Sequence, residues 1–227
     1  MTGFRVMQRE RCAGPDDVAR FRDLPVANIS DVMNRMSAGG ANLRPYHRQG
    51  VLAGPALTVR TRPGDNLMVH KALNMAAPGD VIVVDAGGDL TNAIIGELMI
   101  AYAKVRGVAG FVINGAVRDL GAIAADDFPV FAAGITHRGP YKDGPGEVNV
   151  PISLGGMVVH PGDLIVGDPD GVVSVPLDQL DEVFGKASVK HKAETAQLAA
   201  IAAGTNDRTW VDRELAARGC SGLGEAG

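Results

Sequence analysis

A chain of 227 residues, 46% hydrophobic and 21% charged, is long enough to bury a substantial core and has the composition of an ordinary globular domain. Its net charge of −4, without a basic stripe, argues against a nucleic-acid surface, and no apolar run approaches a membrane span. Cys12 and Cys220 fit neither a zinc spacing nor a disulfide framework, and the opening residues lack a signal-peptide core, so a cytoplasmic protein with free thiols is expected.

With 4% aromatic residues, the core must be built from Ala, Val, Ile, Leu and Met, and the 30 glycines imply frequent tight turns between short elements. Pro15-Asp16-Asp17 opens a short helix through Phe21, and Ser30-Asp31 is expected to cap a second one running to about Met36. Residues 37–50 read as loop. Residues 51–60 read as a strand whose internal Gly54-Pro55 marks an edge or a bulge. A helix over 65–76 follows, and Pro78-Gly79-Asp80 turns the chain into the doubly apolar, buried strand Val81 to Asp85. A helix starting at Thr91 would carry Gly96 in its interior at a cost of about 1 kcal/mol relative to Ala, so a start near Gly96 is preferred. That helix ends near Arg106-Gly107, before the strand Gly110 to Asn114 and a short helix beyond Asp119. A strand over 128–132 precedes a β meander over 147–175, punctuated by Pro161-Gly162-Asp163 and Asp168-Pro169-Asp170-Gly171. Helices over about 177–203 and 207–217 finish the chain. With no linker or repeat, the pattern predicts one α/β domain over 1–227, with a mixed sheet or layered sheets flanked by helices and a helical extension over 177–227.

The chemistry concentrates at Gly96-Glu97-Leu98-Met99 and Gly115-Ala116-Val117-Arg118-Asp119. Arg118 offers a planar fork for a carboxylate, and Asp119 a hard oxygen for a divalent cation. A surface ion pair capping a turn is the competing reading of that pair. A helix starting at Gly96 would present free backbone amides to an anion. His70 could face a pocket near Asn66, although a lone histidine is more often structural. No two histidines stand at metal-ligand spacing, so hard oxygen ligands favour Mg²⁺ or Mn²⁺ over zinc. Lys71 and Lys104 read as solvated lysines rather than Schiff-base formers. Val84 to Asp89 reads as a strand-to-loop turn without the glycine spacing of a nucleotide site.

Taken in order, Gly54-Pro55-Ala56-Leu57-Thr58-Val59-Arg60, Pro63-Gly64-Asp65-Asn66, the Gly96 and Gly115 blocks, Pro161-Gly162-Asp163 and Asp168-Pro169-Asp170-Gly171-Val172-Val173 resemble one family. It joins class II 4-hydroxy-4-methyl-2-oxoglutarate / 4-carboxy-4-hydroxy-2-oxoadipate aldolases with the regulator of ribonuclease activity A. The resemblance runs from about Pro25 to Gly204 and implies a swivelling β/β/α-like fold. It also implies a ring-shaped trimer, or a hexamer of stacked trimers, with sites between subunits and C-terminal helices packed on a neighbour. The enzymes of the family carry a metal-binding Asp after the substrate Arg and the classical regulators lack it, so Asp119 points to the enzyme branch. By the same resemblance the amides of Gly96, Glu97, Leu98 and Met99 receive the pyruvyl carboxylate, and Arg118 binds substrate. Glu97 contacts water at the metal, and Glu194, with Asp31 as a weaker match, comes from the neighbouring subunit. Read without the family, Glu194 belongs to a solvated helix face and Asp31 to a helix start.

The implied reaction is metal-dependent retro-aldol cleavage of a 4-hydroxy-2-oxo acid to pyruvate and a second oxo acid, with oxaloacetate decarboxylation as a side activity. Asp119 holds the metal, Arg118 shares the enolate charge, and Glu97 or Glu194 positions the water that serves as base. The alternatives are a non-catalytic protein that binds and regulates a ribonuclease, and a lyase or decarboxylase for another oxo acid.

Overall fold

The structure, a computed structural model, describes residues 3–223. Its first elements are β1 (Phe4–Val6), α1 (Pro15–Arg22) and α2 (Val26–Val32). The second helix lies earlier than the sequence pattern suggests, so Ser30 and Asp31 belong to its last turn and do not cap its start. Its cap comes from far along the chain: the Val26 amide donates to Asp168 Oδ2 at 2.9 Å. Asn34 and Arg35, with φ of 56° and 61°, end it in left-handed backbone.

Strand and helix then alternate through β2 (Arg44–Pro45), β3 (Leu52–Thr61), α3 (Leu67–Met75), β4 (Val81–Asp85), β5 (Ala93–Ile95), α4 (Glu97–Val105), β6 (Gly110–Val117), α5 (Leu120–Ala124) and β7 (Val130–Ile135). The short strands β8 (Gly146–Val148), β9 (Ile152–Leu154), β10 (Met157–Val159), β11 (Leu164–Asp168) and β12 (Gly171–Val175) follow. A 3₁₀ turn (Leu177–Gln179) leads into α6 (Leu180–Ala202), and α7 (Trp210–Ala217) is the last element.

The main sheet runs β1-β8-β3-β4-β6-β7-β2, with β3, β4, β6 and β7 mutually parallel. Gly54-Pro55 sits where β3 changes partners, and the pairing there shows no bulge. The first half of β3 pairs antiparallel with β11, and its second half pairs with β4 and β8. Glycine is required at 54 because a Cβ there would lie 2.3 Å from the Gly79 carbonyl oxygen. The third quarter is not a simple meander either. Strand β8 joins the main sheet, β9 and β10 form their own hairpin, and β11–β12 attaches to β3. Alternating short strands carry no information about which distant strand each will meet.

Apolar clusters cover both faces of the sheet. On one face Val69 and Leu73 of α3 and Ile100 and Ala103 of α4 pack with Ile82, Val84, Phe111 and Ile113. On the other, Ile152, Leu154, Met157 and Val159 of the hairpin pack with Val81, Val83, Val112 and Phe131. A third cluster joins Phe21, Ile29 and the start of α6 (Leu180, Val183) to Leu164, Val166 and Val173. Each such fully buried side chain contributes about 1.5–3 kcal/mol, which makes the sheet a rigid platform for what its strand ends carry. The fold is therefore a mixed α/β arrangement of layered sheets with flanking helices. Two compact units divide the chain between Ser188 and Val189, within α6. No described helix is long and apolar enough to cross a membrane.

Candidate active site

Gly96, Glu97, Arg118 and Asp119 collect at the carboxyl ends of the parallel strands β5 and β6, where open α/β sheets place their ligand crevices. Strand β6 outruns β4: its first half pairs with β4 as far as Asp85↔Asn114, and its last residues pair with β5, with Ala93 opposite Ala116 and Ile95 opposite Val117. That register sets Arg118 beside Gly96, and the Arg118 amide donates to the Ile95 carbonyl at 3.1 Å. Gly96 is the N-cap of α4, so the helix starts where the cost of an interior glycine predicts.

Asp119 occupies left-handed backbone (φ 62°, ψ 40°), which costs a residue with a Cβ on the order of 1 kcal/mol. It stands at the N-cap position of α5, yet its side chain does not cap that helix. The carboxylate turns across to α4, where Oδ2 accepts the Glu97 amide at 2.9 Å. The turn closes only because residue 96 lacks a side chain: a Cβ there would lie 2.3 Å from Asp119 Oδ2 and 2.9 Å from Arg118 Cγ. Arg118 Nε lies 3.7 Å from Asp119 Oδ2, with both side chains 41% exposed. The ion pair suggested by the sequence thus exists, but it is exposed and loosely made, so it adds little stability.

Beside this corner lies a cleft of about 120 Å³, lined by Asn66, His70, Ile94, Ile95, Gly96, Leu98, Met99, Arg118 and Pro140. It is well below the roughly 300 Å³ of pockets for drug-sized ligands and suits a small acid. Asn66 is 2% exposed; its Nδ2 donates to the Ile94 carbonyl, while its Oδ1 is buried without a partner. His70, one turn further along α3, has its pKa lowered, by burial first and by the Lys142 charge second, and is neutral at pH 7. The sequence reading that His70 could face a pocket near Asn66 matches this cleft, although it gave neither residue a role. The helix expected over 65–76 begins only at Leu67, so Asp65 and Asn66 precede it, and both side chains are buried.

The expected role of the loop amides is narrowed. Glu97's amide is taken by Asp119, and Met99's bonds back to the Gly96 carbonyl at 3.1 Å. Leu98's amide, in the first turn of α4, has no helical acceptor one turn behind it, and the Leu98 side chain stands 83% exposed at the rim. Met99 is buried, with its sulfur 3.3 Å from Asn66 Nδ2. The Glu97 side chain borders a second cleft, with Lys104 and Asp126, between α4 and α5. Asp31 pairs with Arg35 at 2.8 Å, and Glu194, in the second unit, pairs with Lys190 at 2.9 Å. Among the described residues no three His, Cys, Asp or Glu side chains gather as a metal cage.

Comparison with known proteins gives this corner a family. Residues 26–174 match the model of the RraA-like family, described as Aldolase/RraA. A Halalkalibacterium halodurans protein named "Putative 4-hydroxy-4-methyl-2-oxoglutarate aldolase" is 45% identical over 186 residues, covering 82% of this chain and 89% of the relative. Among solved structures, the RNA-processing inhibitor RraA from Thermus thermophilis superposes with a TM-score of 0.63 at 31% identity, over 68% of this chain and 93% of that one. Streptomyces coelicolor RraAS2, described as an unusual member of the RNase ES inhibitor RraA family, gives a TM-score of 0.74 at 25% identity, over 82% and 96%. The matched segment spans α2 to β12 and so contains the whole Gly96–Arg118–Asp119 corner, and the chain belongs to the aldolase/RraA family.

Proposed function

We propose that this protein is a class II aldolase, a carbon–carbon lyase that cleaves a 4-hydroxy-2-oxo acid of the 4-hydroxy-4-methyl-2-oxoglutarate or 4-carboxy-4-hydroxy-2-oxoadipate type to pyruvate and a second oxo acid. Oxaloacetate decarboxylation accompanies it, since both reactions develop the same enolate. The observation that carries this reading is the Asp119 carboxylate folded over the Gly96 notch beside Arg118, with Gly96 and Arg118 lining a cleft sized for a small acid. The name of the 45% identical relative supports it.

One half-exposed carboxylate, with one oxygen engaged by an amide, fits Mg²⁺ or Mn²⁺, which keep several waters and take one or two protein carboxylates. A cation held by Asp119 would supply Lewis-acid polarisation of the 2-oxo group. The Arg118 guanidinium binds the oxo-acid end through its planar fork and shares the negative charge that develops there. The Leu98 amide adds a donor at the positive end of α4, and Asn66 Oδ1 accepts a hydrogen bond from the bound acid or its water. As the C3–C4 bond breaks, its electron pair passes to C3 to form the enolate. The C4 hydroxyl loses its proton to water held by Glu194 or Asp31 supplied from a neighbouring copy, the Glu97 side chain bordering the other cleft, and becomes the carbonyl of the second product. A proton returned to C3 completes pyruvate. Assembly as a trimer or hexamer in the cytoplasm, with the C-terminal helices on a neighbour, belongs to the same reading.

The inhibitors among the structural relatives favour a second reading, a non-catalytic regulator of a ribonuclease. A coupled assay separates the two: purified protein with Mg²⁺ or Mn²⁺ releases pyruvate from oxaloacetate and from one of the two hydroxy-oxo acids. Silence on all three substrates, with inhibition of a ribonuclease, would replace the aldolase by the regulator.

A further inference from the structure

The loop between β7 and β8 forms one wall of the cleft. Pro140 lines it, and Gly139 sits so close to Arg118 that a Cβ there would be 3.2 Å from a terminal guanidinium nitrogen. Loops of this length are mobile unless something ties them down. Its first half is held by the Asn92 side-chain amide, which donates to the Gly139 carbonyl at 2.5 Å, and by the Ala93 amide on the Arg138 carbonyl at 2.8 Å; its second half is tied by a buried carboxylate. Asp65 is 0% exposed; Oδ2 accepts the amides of Asp143 at 2.7 Å and Gly144 at 2.9 Å, and Oδ1 accepts the amide of Leu67, at the start of α3, at 2.9 Å. Arg62 approaches Oδ2 at 3.3 Å. The backbone continues the junction: Tyr141 N–H donates to Gly64 O at 2.8 Å, and Asn66 N–H to Tyr141 O at 3.0 Å.

We infer that Asp65 is a positioning residue. One carboxylate joins the first turn of α3, which carries Asn66 and His70, to the loop that carries Gly139 and Pro140, and so sets the width of the cleft facing Arg118. Such a junction needs a carboxylate: three backbone donors on two sides demand an acceptor at both oxygens, and a carboxamide offers only one. A buried carboxylate kept only for helix capping would need no donors from a loop 78 residues away. The consequence for turnover rests on the oxo-acid reading above, whereas the tether itself does not.

The test uses hydrogen exchange, proteolysis and kinetics together. In the wild-type protein the amides of Tyr141, Asp143 and Gly144 should exchange at least about a hundred-fold more slowly than in an unstructured peptide. Asp65→Asn should lose that protection at Asp143 and Gly144, whose amides the carboxylate accepts, and be cut by trypsin after Lys142 about ten-fold faster. The KM for the oxo acid should rise about ten-fold while kcat stays within about three-fold, because the wall shapes binding and leaves the Arg118–Asp119 corner intact. Unprotected loop amides in the wild type overturn the inference, and that arm decides the matter even if Asp65→Asn fails to fold. Cleavage of a folded variant at the wild-type rate, or a fall in kcat with unchanged KM, also overturns it. If no oxo acid is turned over by either protein the aldolase reading fails, and exchange and proteolysis still judge the tether.

Discussion

Gly96→Ala tests the geometry at its tightest point. Gly96 has φ −153° and ψ −170°, extended backbone that any residue adopts, so the substitution acts through space alone. The new Cβ would stand 2.3 Å from Asp119 Oδ2, 2.9 Å from Arg118 Cγ and 3.1 Å from Arg118 Nε. The first of these is about 1 Å short of ordinary contact, so the carboxylate must swing away and release the Glu97 amide. Losing that cap costs about 1 kcal/mol, a Tm shift of about 2–4 °C for a chain of this size. Moving Asp119 and Arg118 together by about 1 Å lowers kcat/KM by on the order of 100-fold. Coupled measurement of pyruvate release reads the second effect and thermal melting the first. Gly121→Ala is the control, since nothing lies within 4 Å of a Cβ there. Wild-type kcat/KM and Tm in Gly96→Ala would refute the close-packed corner.

Other substitutions separate chemistry from scaffold. Arg118→Lys should lower kcat/KM by about 100-fold, read in the same assay, because a point charge cannot reproduce the fork. His70 is neutral above its lowered pKa, so in the free protein its burial favours folding above about pH 6.5, and that contribution is lost as the pH falls through the depressed value. Its protonation adds a positive charge to the cleft that Arg118 also lines, so the KM for the oxo acid should fall only as the pH drops through that depressed value, and His70→Gln should flatten that limb of the profile. Asp168→Ala should cost about 1 kcal/mol in urea unfolding by uncapping α2, and leave kcat/KM unchanged.

Local rules carried the helix start at Gly96, because a glycine's cost in a helix interior is a local signal, but they ended β6 at Asn114, three residues short of Val117, since its last residues are held by pairing with β5. The same rules misplaced α2, whose cap is a carboxylate 142 residues away. They read Gly54-Pro55 as an edge or a bulge but could not show the change of partner there, since pairing of β3 with β11, β4 and β8 is settled only when the sheet assembles. The site divides in the same way. Arg118 and Asp119 stood out as chemistry in the linear chain, but nothing local shows that Asp119 would adopt left-handed backbone and cap α4 instead of its own helix. Asp65 and Asn66 read as the first residues of a helix over 65–76 and as part of a family block, with a pocket near Asn66 but no role for either. Their burial, and the unpartnered Oδ1 of Asn66, appear once the β7–β8 loop folds over them.

The central claim is that the Asp119 carboxylate makes this corner an oxo-acid lyase. Pyruvate release from 4-hydroxy-4-methyl-2-oxoglutarate should be followed for wild type and Asp119→Ala, each with Mg²⁺ and with EDTA, and with circular dichroism to verify folding. The wild type should turn over with Mg²⁺ and fall silent in EDTA, and the folded variant should be silent in both. Pyruvate release by Asp119→Ala at the wild-type rate, or a wild type indifferent to EDTA, would contradict it.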